Sequence, residues 1–235
     1  MAVHTLLLQQ FPLLKSLTPE ALAHLAQLAN VREFAKRAMV LEKGPPTPFL
    51  CFLMEGRLQA LDFTAEGREV GLYFVEQGDF FGELSLIDGE AQPEYIIATG
   101  RAQVVVLPGP EIRPVLFSNA HLAETLTRRL AQRVRQQLSQ RQILALANPL
   151  HRICAQLQIM NNAAPDGTPP APGQTRHVFI IRAPTHQELA IMVNLTRETV
   201  TRTFQVLQSQ GVLSRQGDDL VVDKDKLDQL AAKGE

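Results

Sequence analysis

PTHQELAIMVNLTRETVTRTFQVLQSQ, residues 184–210, carries the signals of two short helices joined by a tight turn. Thr185 and Glu188 form a T-x-x-E capping box, which predicts a helix start because each side chain satisfies an orphan amide at the helix end. Leu189 and Val193 are its inward face. Asn194 follows at the turn, where a residue tolerant of positive φ is needed. Thr196 then caps a second helix, with Val200, Phe204 and Leu207 facing inward. Arg197, Glu198 and Arg202 are left facing outward in its first two turns. Arginine pairs with guanine O6 and N7, and glutamate accepts from cytosine N4, so these are residue types that read base edges. The first turns of a recognition helix are the part that enters the major groove. The plainer alternative is a solvated face with an i, i+4 Glu198–Arg202 pair. The cap, the turn and the VLSRQGDDLVV segment after it, read as a two-stranded wing turning at Gln216-Gly217-Asp218-Asp219, favour DNA readout.

Working back from this segment, residues 118–146 contain neither glycine nor proline. Leu122, Leu126, Leu130, Val134 and Leu138 recur every four residues. The pattern predicts a helix of about 28 residues, about 42 Å long. An apolar stripe on so long a helix calls for a partner, and a second copy of the chain is the expected one, with these five residues as the dimer seam. Packing on the chain's own N-terminal part is the alternative. Asn148 is placed to cap the next helix, PLHRICAQLQIM, and residues 161–176 read as a Pro/Gly/Ala-rich loop.

The front of the chain has a different character. Residues 18–30 predict a short amphipathic helix capped by Thr18 with Pro19 at its first position. From Val31 to Leu107 short apolar segments alternate with turns. Gly44, Gly56, Gly67, Gly78, Gly89, Gly100 and Gly109 fall mostly eleven or twelve residues apart, the spacing of an all-β barrel or sandwich.

Composition excludes several classes. Of 235 residues, 45% are hydrophobic and 20% charged, ordinary for a folded globular chain. No apolar run approaches the roughly 18 residues of a membrane span. The opening segment lacks the basic start and small-residue cleavage site of a signal peptide. Cys51 and Cys154 have apolar neighbours and are expected to be buried free thiols of a reducing cytosol. No nucleophile–base set, metal-ligand spacing or P-loop appears, so an enzyme is not expected. The net charge of −1 is uneven: residues 1–118 hold nine basic and fourteen acidic residues, the remainder fourteen and ten. An acidic front and a basic rear suggest two domains, the second facing phosphate.

Three motifs now stand together: GDFFGELSL at 78–86, LANPLHR at 146–152 and TRETV at 196–200. Through them nearly the whole chain resembles the CRP/FNR superfamily of bacterial transcription regulators, in its catabolite-activator-like branch. The resemblance implies an α+β protein. A cyclic-nucleotide-binding-type, jelly-roll-like β-roll would occupy residues 1–117, a dimerisation helix 118–147, and a winged helix-turn-helix 148–235. It further implies a cytoplasmic homodimer on double-stranded DNA with a TGTGA-type half-site. Arg197, Glu198 and Arg202 would contact bases, and Thr196, Thr199 and Gln216 phosphates. RNA polymerase is an implied partner, through a loop that Pro165-Asp166-Gly167 matches loosely; a membrane is not.

The effector cradle departs from the family's pattern. Gly82, Glu83 and Leu84 match its turn, and Glu83 could meet a ribose hydroxyl. The arginine–hydroxyl pair that holds the cyclic phosphate falls at Gln92-Pro93, followed by Glu94, and the base-reading pair of the long helix falls at Gln137-Leu138. Loss of the charged partner and the gain of a carboxylate disfavour an anionic phosphate there. Cyclic AMP is therefore not expected as the effector. Another nucleotide such as cyclic di-GMP, a ligand held by Arg128, Arg129, Arg133 and Arg135, or no ligand at all are the alternatives. A cyclic-nucleotide-responsive regulator with a non-standard pocket, and a module acting through protein contacts, are the competing readings. No N-terminal cysteine cluster or haem attachment motif is present.

Overall fold

In the computed structural model, which describes residues 4–161, 177–180 and 182–232, the strands of the front half alternate their side chains between two cores. Two short helices, α1 (Thr5–Leu8) and α2 (Pro19–Leu28), precede β1 (Asn30–Phe34), β2 (Met39–Leu41), β3 (Phe49–Glu55), β4 (Leu58–Phe63), β5 (Glu69–Val75) and β6 (Phe80–Phe81). After α3 (Glu83–Asp88) come β7 (Tyr95–Ala98), β8 (Ala102–Pro108), α4 (Gly109–Ser118) and the long α5 (Ala120–Ala145). The strands form two antiparallel four-stranded sheets, ordered β1-β8-β3-β6 and β2-β7-β4-β5. Because strand side chains alternate faces, Cys51, Leu53, Val104 and Val106 point toward Leu58, Ala60, Ile96 and Ala98 of the other sheet. Leu50, Phe52, Val105 and Leu107 point the opposite way, under α2, α4 and the start of α5. The all-β barrel or sandwich expected from the glycine spacing is thus present, in the form of the β-roll that the family resemblance implied, with one sheet covered by helices. Thr18 accepts from the Ala21 amide as the cap of α2.

The chain divides into two compact units, residues 1–136 and 137–235. In the second, α6 (Pro149–Asn161) and β9 (His177–Ile180) lead into α7 (His186–Val193) and α8 (Arg197–Ser209). The strands β10 (Leu213–Gln216) and β11 (Asp219–Asp223) and the helix α9 (Lys224–Ala232) complete it. The wing is the β10–β11 hairpin, with β9 added as a third strand. Ile143 of α5 joins Ile153, Leu189, Val193, Val200, Phe204, Leu207, Leu220 and Val222 in one core. Asn148 accepts from the Leu150 amide, the cap expected for α6.

Both cysteines are buried and free. Burial pushes the Cys51 thiol up to about 12 and Cys154 up to about 11, so neither presents a thiolate near neutrality. Among the described residues no helix is long and apolar enough to cross a membrane, and no cluster of three or more metal-ligating side chains exists. Pro165-Asp166-Gly167 lies outside the described residues.

Candidate nucleic-acid interface and effector cradle

The capping box at the start of α7 is complete: the Thr185 hydroxyl accepts from the Glu188 amide and the Glu188 carboxylate from the Thr185 amide. Asn194 ends the helix with φ 52° and ψ 52°, the left-handed conformation the sequence required of it. Its chain reversal is held from behind. Gln140 Nε2 donates to the Met192 carbonyl at 2.6 Å, and Arg152 reaches the Val193 carbonyl at 3.4 Å. These two side chains satisfy carbonyls at the end of α7 that have no partner within the helix. Gln140 was not legible as a turn-holding residue, since the pairing joins positions 52 apart and leaves no local signal.

Thr196 caps α8, accepting from the Thr199 amide, and Val200, Phe204 and Leu207 are buried. Arg197, Glu198 and Arg202 are exposed on the other side. Glu198 is held below its ordinary carboxylate range, first by hydrogen bonds to its own amide and to Thr196, then by the charges of Arg197 and Arg202. It is therefore an acceptor at neutral pH. Thr196 and Gln216 are exposed and Thr199 is half-buried. Thr199 shares a hydroxyl contact of 3.0 Å with Thr196.

In the first unit the cradle starts at Gly82, whose φ of 83° is left-handed. A side chain there would sit 3.0 Å from the Phe49 carbonyl oxygen. The next residue, Glu83, is 1% exposed. It is ion-paired with Arg133 of α5, which also donates to the Phe80 carbonyl. The Arg133 guanidinium lies 5.1 Å from the Tyr73 ring centroid and 5.3 Å from that of Phe80. Tyr73 donates to Glu94 at 2.6 Å. Burial disfavours the charge of Arg133, but Glu83, Tyr73 and Asp79 outweigh it and hold its pKa above the usual guanidinium value. Burial pushes the Glu83 carboxyl up, against the pull of Arg133.

The buried Gln92 accepts from Ser85 Oγ at 3.3 Å, and its Nε2 has no hydrogen-bond partner among the described residues. Pro93 is exposed, Leu84 is half-buried, and Gln137 is half-buried on α5. The four-arginine group of α5 does not act together. Arg128 pairs with Glu124 one turn back, Arg129 with Asp79 and Arg133 with Glu83, while Arg135 is exposed.

The apolar stripe of α5 also divides. Leu122 and Leu126 are buried in the first unit's own core, and Leu130 packs against it. Val134 and Leu138 remain 60% and 58% exposed.

Two family models match the chain. One is the cyclic nucleotide-binding domain, over residues 31–119, and the other the Crp-like helix-turn-helix domain, over residues 151–230. The cAMP-activated global transcriptional regulator CRP of Pasteurella multocida is 26% identical over 194 residues, 82% of this chain and 90% of that protein. FixK2 from Bradyrhizobium japonicum superposes with a TM-score of 0.70 at 17% identity, covering 86% of this chain and 96% of that one. CLP of Xanthomonas campestris, described as a c-di-GMP responsive global regulator, superposes with a TM-score of 0.59 at 20% identity, over 83% and 94%.

Proposed function

Because the chain belongs to the CRP/FNR family of DNA-binding transcription regulators, we propose that it is a homodimer that reads a TGTGA-like palindrome without control by cyclic AMP. The observation that carries the DNA reading is the outward set Arg197, Glu198 and Arg202 on a capped helix whose other face is buried. Such a helix presents its first turns to the major groove without disturbing the core that holds it. Thr196, Thr199 and Gln216 supply phosphate contacts at its margins. The exposed Val134 and Leu138 of α5 form the seam with a second copy, and RNA polymerase is the partner through which the bound dimer acts. Acting on DNA, it works in the cytoplasm as a regulator and not as an enzyme.

Arg197→Ala is expected to weaken binding by about 1–3 kcal/mol and to relax preference at one guanine. Gln216→Ala should weaken every sequence alike. Competition among base-substituted palindromes checks both; equal losses on all sequences for Arg197→Ala would reassign it to the backbone.

The reading on control rests on the Glu83–Arg133 pair. The buried cation beside the Gly82-Glu83-Leu84 turn is already neutralised by a carboxylate of the same chain. A cyclic phosphate entering there would meet Glu83 and Glu94 without an unpaired cation to offset them. Calorimetry and thermal melting with cyclic AMP, cyclic GMP and cyclic di-GMP test this. Cyclic AMP is expected to give neither heat nor a raised Tm. A micromolar cyclic AMP site abolished by Glu83→Ala would overturn the reading, whereas a response to cyclic di-GMP alone would identify a different effector.

A further inference from the structure

His186, the first residue of α7, is half-buried against the reading helix. Its ring centroid is 4.6 Å from that of Phe204, tilted by 53°. Its Nδ1 is 2.9 Å from Thr201 Oγ1, and the same hydroxyl donates to the Arg197 carbonyl at 2.9 Å. A hydroxyl has a single proton to give. With that proton directed at Arg197, Nδ1 must be the donor toward Thr201, which fixes the ring with its lone pair on Nε2. Nε2 has no hydrogen-bond partner among the described residues.

The charged groups acting on the ring are Arg215 of β10 and Arg197 of α8. Burial, then Arg215 and Arg197, lower the histidine below its ordinary 6.5 in the free protein. The two arginines are thus near enough for their charges to act on the ring, beside the helix that carries the proposed base-reading set. Both are permanently charged, and the ring is held toward its neutral form first by burial and then by the two of them. A duplex lying against α8 brings phosphates to this neighbourhood. Their charge cancels the repulsion from the arginines and favours a proton on Nε2.

We propose that His186 is a further DNA-phosphate contact of this interface, made through its protonated ring. The contact rests on the DNA-binding reading above but not on the operator sequence, because a phosphate is the same on every duplex. Binding then takes up a proton at each chain, and affinity falls as pH rises through the range between the free and bound pKa values. Linkage limits the effect to about tenfold per pH unit per chain.

The test is fluorescence anisotropy of the full chain at fixed ionic strength, from pH 5.5 to 8.0, on the palindrome and on an unrelated duplex. Wild type should bind more weakly with rising pH on both. His186→Asn, which retains a donor for Thr201, should flatten the dependence, and His186→Arg should bind with little pH dependence. In parallel, the His186 ring proton followed by NMR should titrate below 6.5 free and at higher pH when duplex is added. A wild-type slope that persists in His186→Asn, or an NMR titration unmoved by DNA, would overturn the proposal and leave His186 as packing for α8. Absence of operator preference with the pH slope intact on both duplexes would instead refute the palindrome reading alone.

Discussion

Arg133→Ala is expected to lower the stability of the first unit by about 3–5 kcal/mol, the cost of leaving a buried carboxylate without its partner. Glu83 is 1% exposed and Arg133 8%, so water cannot replace the lost cation. The variant should unfold at a lower urea midpoint. Glu83→Leu combined with Arg133→Leu should recover most of the loss, since removing both charges removes the unpaired one. If the single variant is as stable as wild type, the pair does not hold α5 to the roll and the self-neutralised cradle does not support the proposed independence of cyclic AMP. Its DNA binding should fall with its folded fraction and not be rescued by cyclic AMP.

Leu138→Asp with Val134→Asp is expected to leave each chain folded, with the melting temperature lowered only by the stabilisation lost with the partner, and to yield a monomer by sedimentation. Both side chains are exposed, so a charge there costs little in a single chain and several kcal/mol in an apolar seam. Operator affinity should fall by about a hundredfold or more, because two linked half-sites bind far more tightly than one. Leu126→Asp provides the contrast. It buries a charge in the first unit's own core and should unfold that unit. A dimer of unchanged mass after the double substitution would move the seam off this part of α5.

The division of the α5 stripe explains what the sequence could and could not show. Apolar residues at every fourth position look like one face, yet each step of four turns the helix by about 40°, so Leu122 and Leu138 end about 160° apart. A single partner cannot cover both ends, and the chain's own core takes the first. The helix pair α7–α8, on which the proposed base contacts lie, was legible because its signals are local: a capping box, a left-handed Asn194, a threonine cap and three outward side chains within one helix. The cradle was legible in its departures at Gln92, Pro93 and Glu94, but not in its contents. Arg133 reaches Glu83 across 50 positions, and nothing in its neighbourhood on α5 distinguishes it from Arg128 or Arg135. α4 carries no clear sequence signal, since Pro114 lies inside it. Ile112 and Leu116, fully buried on either side of it, hold the helix through tertiary packing that outweighs propensity.

The opposed faces of α8 have a consequence for how such a chain acquires new targets. Val200, Phe204 and Leu207 are committed inward, while the side chains of Arg197, Glu198 and Arg202 are exposed. Vocabulary and architecture are thus written on separate sides of one short helix. A change of address needs only the outer side, at little cost to the inner one. Regulators of this build can be redirected to new genes by a few surface substitutions, with the turn at Asn194 and the core beneath it carried along intact.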